Sequence, residues 1–126
     1  MAQTSVFEYS AKAASTETFG RVLASIRNHH IIVDGPVHNG CPGEAITPSE
    51  LFLSSVACCG VELVQVLAKS RGIPLAGIAV EIHGAFDRSR QARPDVTVFN
   101  AVRLHLRMKG VTQEQGQVLA DAFKRK

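Results

Sequence analysis

Three cysteines are the side chains of this sequence with the most chemistry to offer. Cys58 and Cys59 are adjacent, and Cys41 lies upstream of them. A cysteine acts as a nucleophile in its thiolate form, which a nearby cation, a helix N-terminus or hydrogen-bond donors favour. Neighbouring residues of a helix point about 100° apart, so at most one of the adjacent pair can face a given pocket. The alternative is that helical cysteines only fill space as small hydrophobic residues.

Histidines near Cys41 suggest a metal site as another possibility. His29, His30 and His38 precede this cysteine, and His38 stands three positions before it. That spacing supplies half of a zinc ligand set, and the sequence holds no matching half. We therefore expect no metal and no other cofactor.

The adjacent cysteines lie in the most apolar stretch of the chain. Residues 51–68, LFLSSVACCGVELVQVLA, contain Glu62 as their only ionised residue. The length would suit a membrane span, but a charge near the middle of a lone span costs about 2.5 to 3.5 kcal/mol on insertion scales. We interpret the stretch as a buried helix and expect no membrane association.

Capping residues mark both ends of this helix. Thr47 and Glu50 form a capping box, and Pro48 suits the first helical position. Gly72 can adopt the left-handed conformation that ends a helix, which predicts a helix over 48–71. Its apolar positions cover almost the whole circumference, so one sheet cannot cover it, and a second subunit is the economical source of the remaining surface.

Two strands are predicted after the helix. Residues 96–108 alternate apolar with polar side chains, and residues 78–82 show the same one-sided pattern. The segment between them, 87–95, is charged and ends in the turn signal Arg-Pro-Asp. We expect the two strands to form an antiparallel pair.

The remaining segments complete the fold class. Three weaker strand candidates precede the long helix: residues 6–12, 19–27 and 31–33. Thr112 and Gln115 form a second cap pair, which begins an amphipathic helix that runs to the end. The order of three strands, a long helix, two strands and a helix predicts an α+β domain whose helices cover one face of an antiparallel sheet.

Composition limits the class of protein. The chain has 126 residues, of which 45% are hydrophobic and 20% charged, with a net charge of +3. These values predict a single folded domain over residues 1–126 and exclude disordered and collagen-like classes. The first thirty residues lack the pattern of a signal peptide, and three cysteines cannot form a closed disulfide set. We therefore expect a reducing, cytoplasmic location.

The basic character of the chain raises the question of nucleic acid. The isoelectric point is about 9.0, and Arg103, His105 and Arg107 share one strand face. The sequence has no tryptophan and one tyrosine, which leaves little for base stacking. We expect no nucleic-acid partner, because a solvated strand face commonly shows this alternation.

Several segments together resemble the OsmC/Ohr family of thiol-dependent hydroperoxide reductases. Residues 33–36, Val-Asp-Gly-Pro, a Gly-rich loop and residues 47–59, TPSELFLSSVACC, are similar to the family's D-x-P segment, loop, P-x-E-L and A-A-C. Residues 68–75, AKSRGIPL, and the strand that follows also look like the family. The resemblance runs from about Arg27 to Lys126, and it implies an intertwined homodimer with each long helix buried at its centre.

The resemblance also implies site residues. The family's reactive cysteine stands eleven positions after the motif proline, which makes Cys59 the nucleophile, and Glu50 matches the family's glutamate. The family has a resolving cysteine in a short C-terminal segment that would follow residue 126. Within this sequence Cys41 is the candidate resolving thiol. Residues expected to line the substrate pocket are Phe52, Val56 and Leu63.

Two features of the family pattern take a different form in this chain. OsmC and Ohr enzymes carry an arginine before the long helix that pairs with the thiolate, whereas residues 29–49 contain no arginine or lysine. His38 is the only possible cation in the loop before the helix. On a regular helix, Glu50 lies about 180° from Cys59. Cooperation between them requires a non-helical first turn or the partner subunit.

The predicted function is reduction of organic hydroperoxides in oxidative-stress defence by a buried Cys59 at the interface of a homodimer. The substrate would be a small apolar hydroperoxide, and an external dithiol would restore the thiol. The alternative is a non-catalytic OsmC-like module that binds a small apolar ligand in the dimer pocket.

Overall fold

A computed structural model describes residues 5–125, which form five strands and two helices. The strands are β1 Lys12–Ser15, β2 Arg21–Ile26, β3 His29–Asp34, β4 Gly77–Ala85 and β5 Ala101–Lys109. The helices are α1 Pro48–Ser70 and α2 Gln113–Lys124, with short 3-10 turns at Val37–Asn39 and Arg88–Arg90. The predicted α+β class and element order are confirmed. The chain divides into two compact units, one ending at Leu51 and one beginning at Phe52.

The N-terminal unit contains an antiparallel sheet in the order β1-β2-β3. Its first strand begins at Lys12, so the strand predicted over 6–12 is wrong, and residues 5–11 have no regular secondary structure. Phe7 and Tyr9 are 74% and 92% exposed. A segment with alternating apolar residues forms a strand only where it can pair with a neighbouring strand and pack on an apolar surface.

Strand β2 begins two residues later than the sequence predicts. Phe19 and Gly20 lie in a turn, where Gly20 has a left-handed φ of +81°. The Thr16 hydroxyl donates to the Arg21 carbonyl oxygen at 3.0 Å, which fixes the turn ahead of the strand. The hydroxyl of a threonine competes in this way with strand pairing.

In the C-terminal unit β4 and β5 form the predicted antiparallel pair, with Gly77 opposite Lys109 and Ala85 opposite Ala101. Strand β5 begins at Ala101 and not at Val96. The Gln91 amide explains the difference, because it accepts from the Val98 amide at 2.7 Å and donates to the Val98 carbonyl at 3.1 Å. A side chain thus takes the backbone groups that a strand partner would use.

Both helices pack on one face of this two-stranded sheet, as predicted. Val64 and Ala68 of α1 and Leu119 of α2 are buried at the centre of the core. Gly60 lies against Phe123 and Val80, where an added Cβ would make ordinary van der Waals contacts at 3.5 and 3.6 Å. Partly buried residues complete this core: Leu67, Ile73, Leu75, Ile78, Leu106, Met108 and Phe123.

The predicted helix ends are confirmed by their hydrogen bonds. The Thr47 amide donates to the Glu50 carboxylate at 2.9 Å, and the Glu50 amide donates to the Thr47 hydroxyl at 3.3 Å. Gly72 has a φ of +65°, and the amides of Gly72 and Ile73 donate to the carbonyls of the last turn in a Schellman motif. Thr112 and Gln115 form a complete capping box on α2.

Helix α1 is not buried around its circumference within one chain. Its fully buried residues are Gly60, Val64 and Ala68, whereas Phe52 is 54% and Val66 53% exposed. The helix is long and apolar enough to cross a membrane by length and composition alone, but one face packs on a sheet. A two-stranded sheet covers only that face, as the sequence predicts, and burial of the other side by a second subunit stays a prediction.

Candidate functional site

Helical spacing places Cys59 on one face of α1 with the three residues predicted to line its pocket. Phe52, Val56, Cys59 and Leu63 follow one another at intervals of four, three and four residues, which keeps them on one side of a helix. We call these four residues the Cys59 stripe. Cys59 and Cys58 are both exposed in the chain, and Cys58 points about 100° away from the stripe.

An aromatic cluster lies at the N-terminal end of the Cys59 stripe. The ring of Phe52 stacks on that of Phe99, with centroids 5.7 Å apart, and Phe86 meets Phe99 edge-on at 5.8 Å. Gly84 allows this packing, because a Cβ there would lie 2.8 Å from Leu53 and 2.9 Å from Phe99. Phe86 and Phe99 were not predicted from the sequence, since no periodic pattern connects them to α1.

Glu50 lies in the N-terminal unit, and its carboxylate serves the capping box. The hydrogen bond from the Thr47 amide is the main reason that the pKa of Glu50 is lowered, and the hydrogen bond with the Thr47 hydroxyl adds to the effect. The carboxylate therefore holds the start of the helix in its ionised form. Its predicted catalytic role stays a prediction.

Cys41 is half-buried in the N-terminal unit. A Cβ added to Gly20 or to Gly35 would lie 2.4 Å from its Sγ atom, so the thiol occupies space that these two glycines leave open. The Sγ atom is 3.8 Å from the Asn39 carbonyl oxygen. These contacts give Cys41 a packing role, while its role as resolving thiol stays a prediction.

The histidines near Cys41 do not converge on a metal site. His38 is exposed in a 3-10 turn, and His29 and His30 are exposed on β3. Among residues 5–125 no three histidine, cysteine or carboxylate side chains lie in a group that could hold a metal ion. Nothing in this region supports the metal alternative.

A partly buried ion pair in the N-terminal unit was not predicted from the sequence. The Arg21 guanidinium donates to both carboxylate oxygens of Asp34 at 2.8 Å and to the Glu44 carboxylate at 3.1 Å. Asp34 is fully buried, and the amides of Glu44 and Ala45 also donate to it at 2.9 and 3.0 Å. This network ties the loop before α1 to strands β2 and β3.

The charges of this network stabilise each other. The Arg21 ion pair, helped by the two backbone amides, lowers the pKa of Asp34 to about 2 although burial opposes this. The hydrogen bond to Asp34 is the main cause that raises the pKa of Arg21. The pair depends on the strand register that places Arg21 opposite Asp34, and the sequence pattern alone does not determine that register.

Comparison with known proteins identifies the class. The family model described as OsmC-like protein matches residues 41–126, and this chain belongs to the OsmC-like family. The family resemblance of the sequence is therefore confirmed. No curated protein matches the chain.

Solved structures share the fold. An OsmC-like protein from Mycoplasma pneumoniae is 17% identical with a TM-score of 0.79, over 95% of this chain and 82% of that one. An organic hydroperoxide resistance protein OsmC from Legionella pneumophila is 20% identical with a TM-score of 0.74, over 97% and 85%. An organic hydroperoxide resistance protein from Elizabethkingia anophelis, with thiocyanate bound, is 18% identical with a TM-score of 0.78, over 98% and 85%.

Proposed function

We propose that this protein reduces organic hydroperoxides with the thiol of Cys59. The observation that carries the proposal is the position of Cys59 within an apolar stripe of α1, in a family whose solved members include organic hydroperoxide resistance proteins. Phe52, Val56 and Leu63 offer apolar surface to the organic part of a substrate. Hydrogen peroxide has no such part and would gain nothing from it.

The reaction follows from thiolate chemistry. The Cys59 sulfur attacks the distal peroxide oxygen, so an S–O bond forms while the O–O bond breaks. The leaving alkoxide takes a proton and departs as the alcohol, and Cys59 becomes a sulfenic acid. A second thiol condenses with the sulfenic acid to a disulfide and releases water, and a dithiol reductant then restores the Cys59 thiol. Cys41 is the candidate second thiol, and the external dithiol is the alternative.

A second copy of the chain completes the proposed site. The exposed side of α1 combines Phe52 and Val66, each more than half exposed, with Cys59. Apolar surface of this kind is stabilised when another surface covers it. We propose a homodimer whose contact buries this side of the helix and places Cys59 in a pocket at the interface. The reducing cytoplasm would keep the thiol available.

Turnover by matched cysteine variants tests the proposal. Wild type should reduce cumene hydroperoxide with dithiothreitol as reductant, and Cys59→Ser should fall to the rate of the reagents alone. Cys58→Ser is the control, because its thiol is also exposed but points away from the stripe. An unchanged rate in Cys59→Ser would contradict the proposal. Absence of turnover in wild type, together with a retained apolar ligand, would favour the non-catalytic binding module.

A further inference from the structure

The β4–β5 sheet has one face turned away from the two helices. The core lies on the other face, where Ile78, Leu106 and Met108 pack against the buried residues of α1 and α2. The alternate residues of the two strands therefore point outward, and their side chains are exposed. We call this surface the outer face, and its nine residues are Ala79, Glu81, His83, Ala85, Ala101, Arg103, His105, Arg107 and Lys109.

Positive charge is concentrated in the segment that carries the outer face. Residues 77–109 contain 6 arginine and lysine residues and 3 aspartate and glutamate residues, which gives this segment a net charge of +3. The whole chain contains 14 and 11 such residues and also has a net charge of +3, so the rest of the chain carries 8 positive and 8 negative charges. The excess positive charge of the protein therefore lies in this one segment, a distribution that attracts an anionic partner.

The cations of the outer face are available to such a partner. In the part of the chain that the structure describes, no hydrogen bond or ion pair engages the side chains of Arg103 and Lys109. The residue directly opposite Arg103 is His83 and not a carboxylate. Arg107 donates to the Glu81 carboxylate at 2.8 Å, but these side chains are 64% and 69% exposed. An exposed ion pair of this kind contributes little, so an incoming carboxylate can replace Glu81.

The spacing of the cations indicates the kind of partner. Alternate residues of a strand lie about 6.8 Å apart, so Arg103, Arg107 and Lys109 form a line of about 20 Å. An extended polypeptide with an acidic residue at every second position repeats its carboxylates at the same interval. None of the nine residues is an aromatic side chain on which a base could stack, and none of the apolar ones is larger than alanine and able to enter a lipid layer. These properties favour an acidic polypeptide over nucleic acid or a membrane.

We propose that the outer face is a docking surface for an extended acidic segment of a partner protein. The carboxylates of that segment pair with Arg103, Arg107 and Lys109, and the two guanidinium groups can bind carboxylates through paired, charge-assisted hydrogen bonds. Each exposed pair is weak, so the complex is reversible and loses affinity as salt screens its charges. The inference goes beyond the proposed function, because docking at this face needs no reactive thiol.

A matched pair of peptides tests the inference. One peptide alternates glutamate with serine, and the other has the same composition with its glutamates in one block. Successive side chains of an extended chain point to opposite sides, so the block presents only half of its carboxylates to the outer face. Fluorescence anisotropy of labelled peptides at low salt should show that wild type binds the alternating peptide about fivefold more tightly. Equal affinities for the two peptides would overturn the inference.

Charge variants locate the binding surface. Arg103→Gln/Lys109→Gln should bind the alternating peptide about fivefold more weakly, and Glu81→Gln should bind it more tightly, because no carboxylate then competes for Arg107. Lys69→Gln/Arg71→Gln is the control, since it removes the same charge from exposed residues at the end of α1. An equal loss of affinity in this control would contradict the proposed surface.

Other anionic partners are tested with the same variants. Oligothymidylate and phosphatidylglycerol vesicles should bind wild type more weakly than the alternating peptide does. Either probe would overturn the inference if it bound more tightly than the peptide and Arg103→Gln/Lys109→Gln released it. These measurements need no turnover, so they decide on the docking surface even if the protein reduces no hydroperoxide and the proposed function fails.

Discussion

The two adjacent cysteines have the same chemistry and similar exposure, and they differ in direction. Cys59 shares its face of α1 with Phe52 and Leu63, whereas Cys58 points about 100° away. A hydroperoxide that uses the apolar stripe therefore meets one sulfur and not the other. The proposed reactivity of Cys59 therefore depends on the direction in which its side chain points from the helix as much as on thiol chemistry.

Asp34 is the residue whose ionisation should matter most for stability of the N-terminal unit. Its pKa in the folded chain is about 2, below the 3.8 of a free carboxyl group, chiefly because of Arg21. A lowered pKa stabilises the fold above the unfolded value, and that contribution is lost as pH falls from about 4 towards 2. Wild type should therefore show a falling denaturant midpoint over this pH range.

Asp34→Asn should lower the denaturant midpoint at pH 7 and flatten its dependence on pH between 4 and 2, because the amide cannot form the ion pair with Arg21. The control is Asp121→Asn, since Asp121 is partly exposed and its ion pair is weak. Its Oδ1 atom lies 4.0 Å from the Nζ atom of Lys124. Exposed pairs of this kind contribute little. An acid transition in Asp34→Asn as steep as in wild type would refute the role of Asp34.

At the scale of elements, sequence identified the helix ends well because caps are local. Thr47 and Glu50 stand three residues apart, and so do Thr112 and Gln115, and each pair forms the hydrogen bonds that its spacing predicts. The pairing of β4 with β5 was equally accessible, because alternating residues identified both strands. These features depend on residues a few positions apart or on a regular alternation of apolar and polar residues.

Features that depend on residues far apart in the sequence could not be predicted from local patterns. The start of β5 depends on Gln91, whose amide takes the backbone groups of Val98. The Arg21–Asp34 pair depends on strand register, and the cluster around Phe99 depends on how a loop packs against α1. The position of Cys59 could be predicted from the helix and the family motif, whereas the aromatic cluster at the end of the Cys59 stripe could not.

At the scale of the whole molecule, the proposed homodimer predicts a mass of twice the 13.6 kDa chain in solution. Val66→Glu should shift the protein toward monomer, because it puts a charge on the exposed apolar side of α1. Light scattering during size-exclusion chromatography measures both masses. Val118→Glu is the matched control, since Val118 is 43% exposed on α2. A monomeric wild type would contradict the dimer.

The central claim is that Cys59 reacts directly with organic hydroperoxides. Intact-protein and peptide mass spectrometry after one equivalent of cumene hydroperoxide, with thiols blocked at once, tests it most directly. We expect one oxidation event at Cys59, seen as a trapped sulfenic acid or as a disulfide to Cys41, and none at either residue in Cys59→Ser. Oxidation that falls on Cys58 or Cys41 while Cys59 stays a free thiol would contradict it.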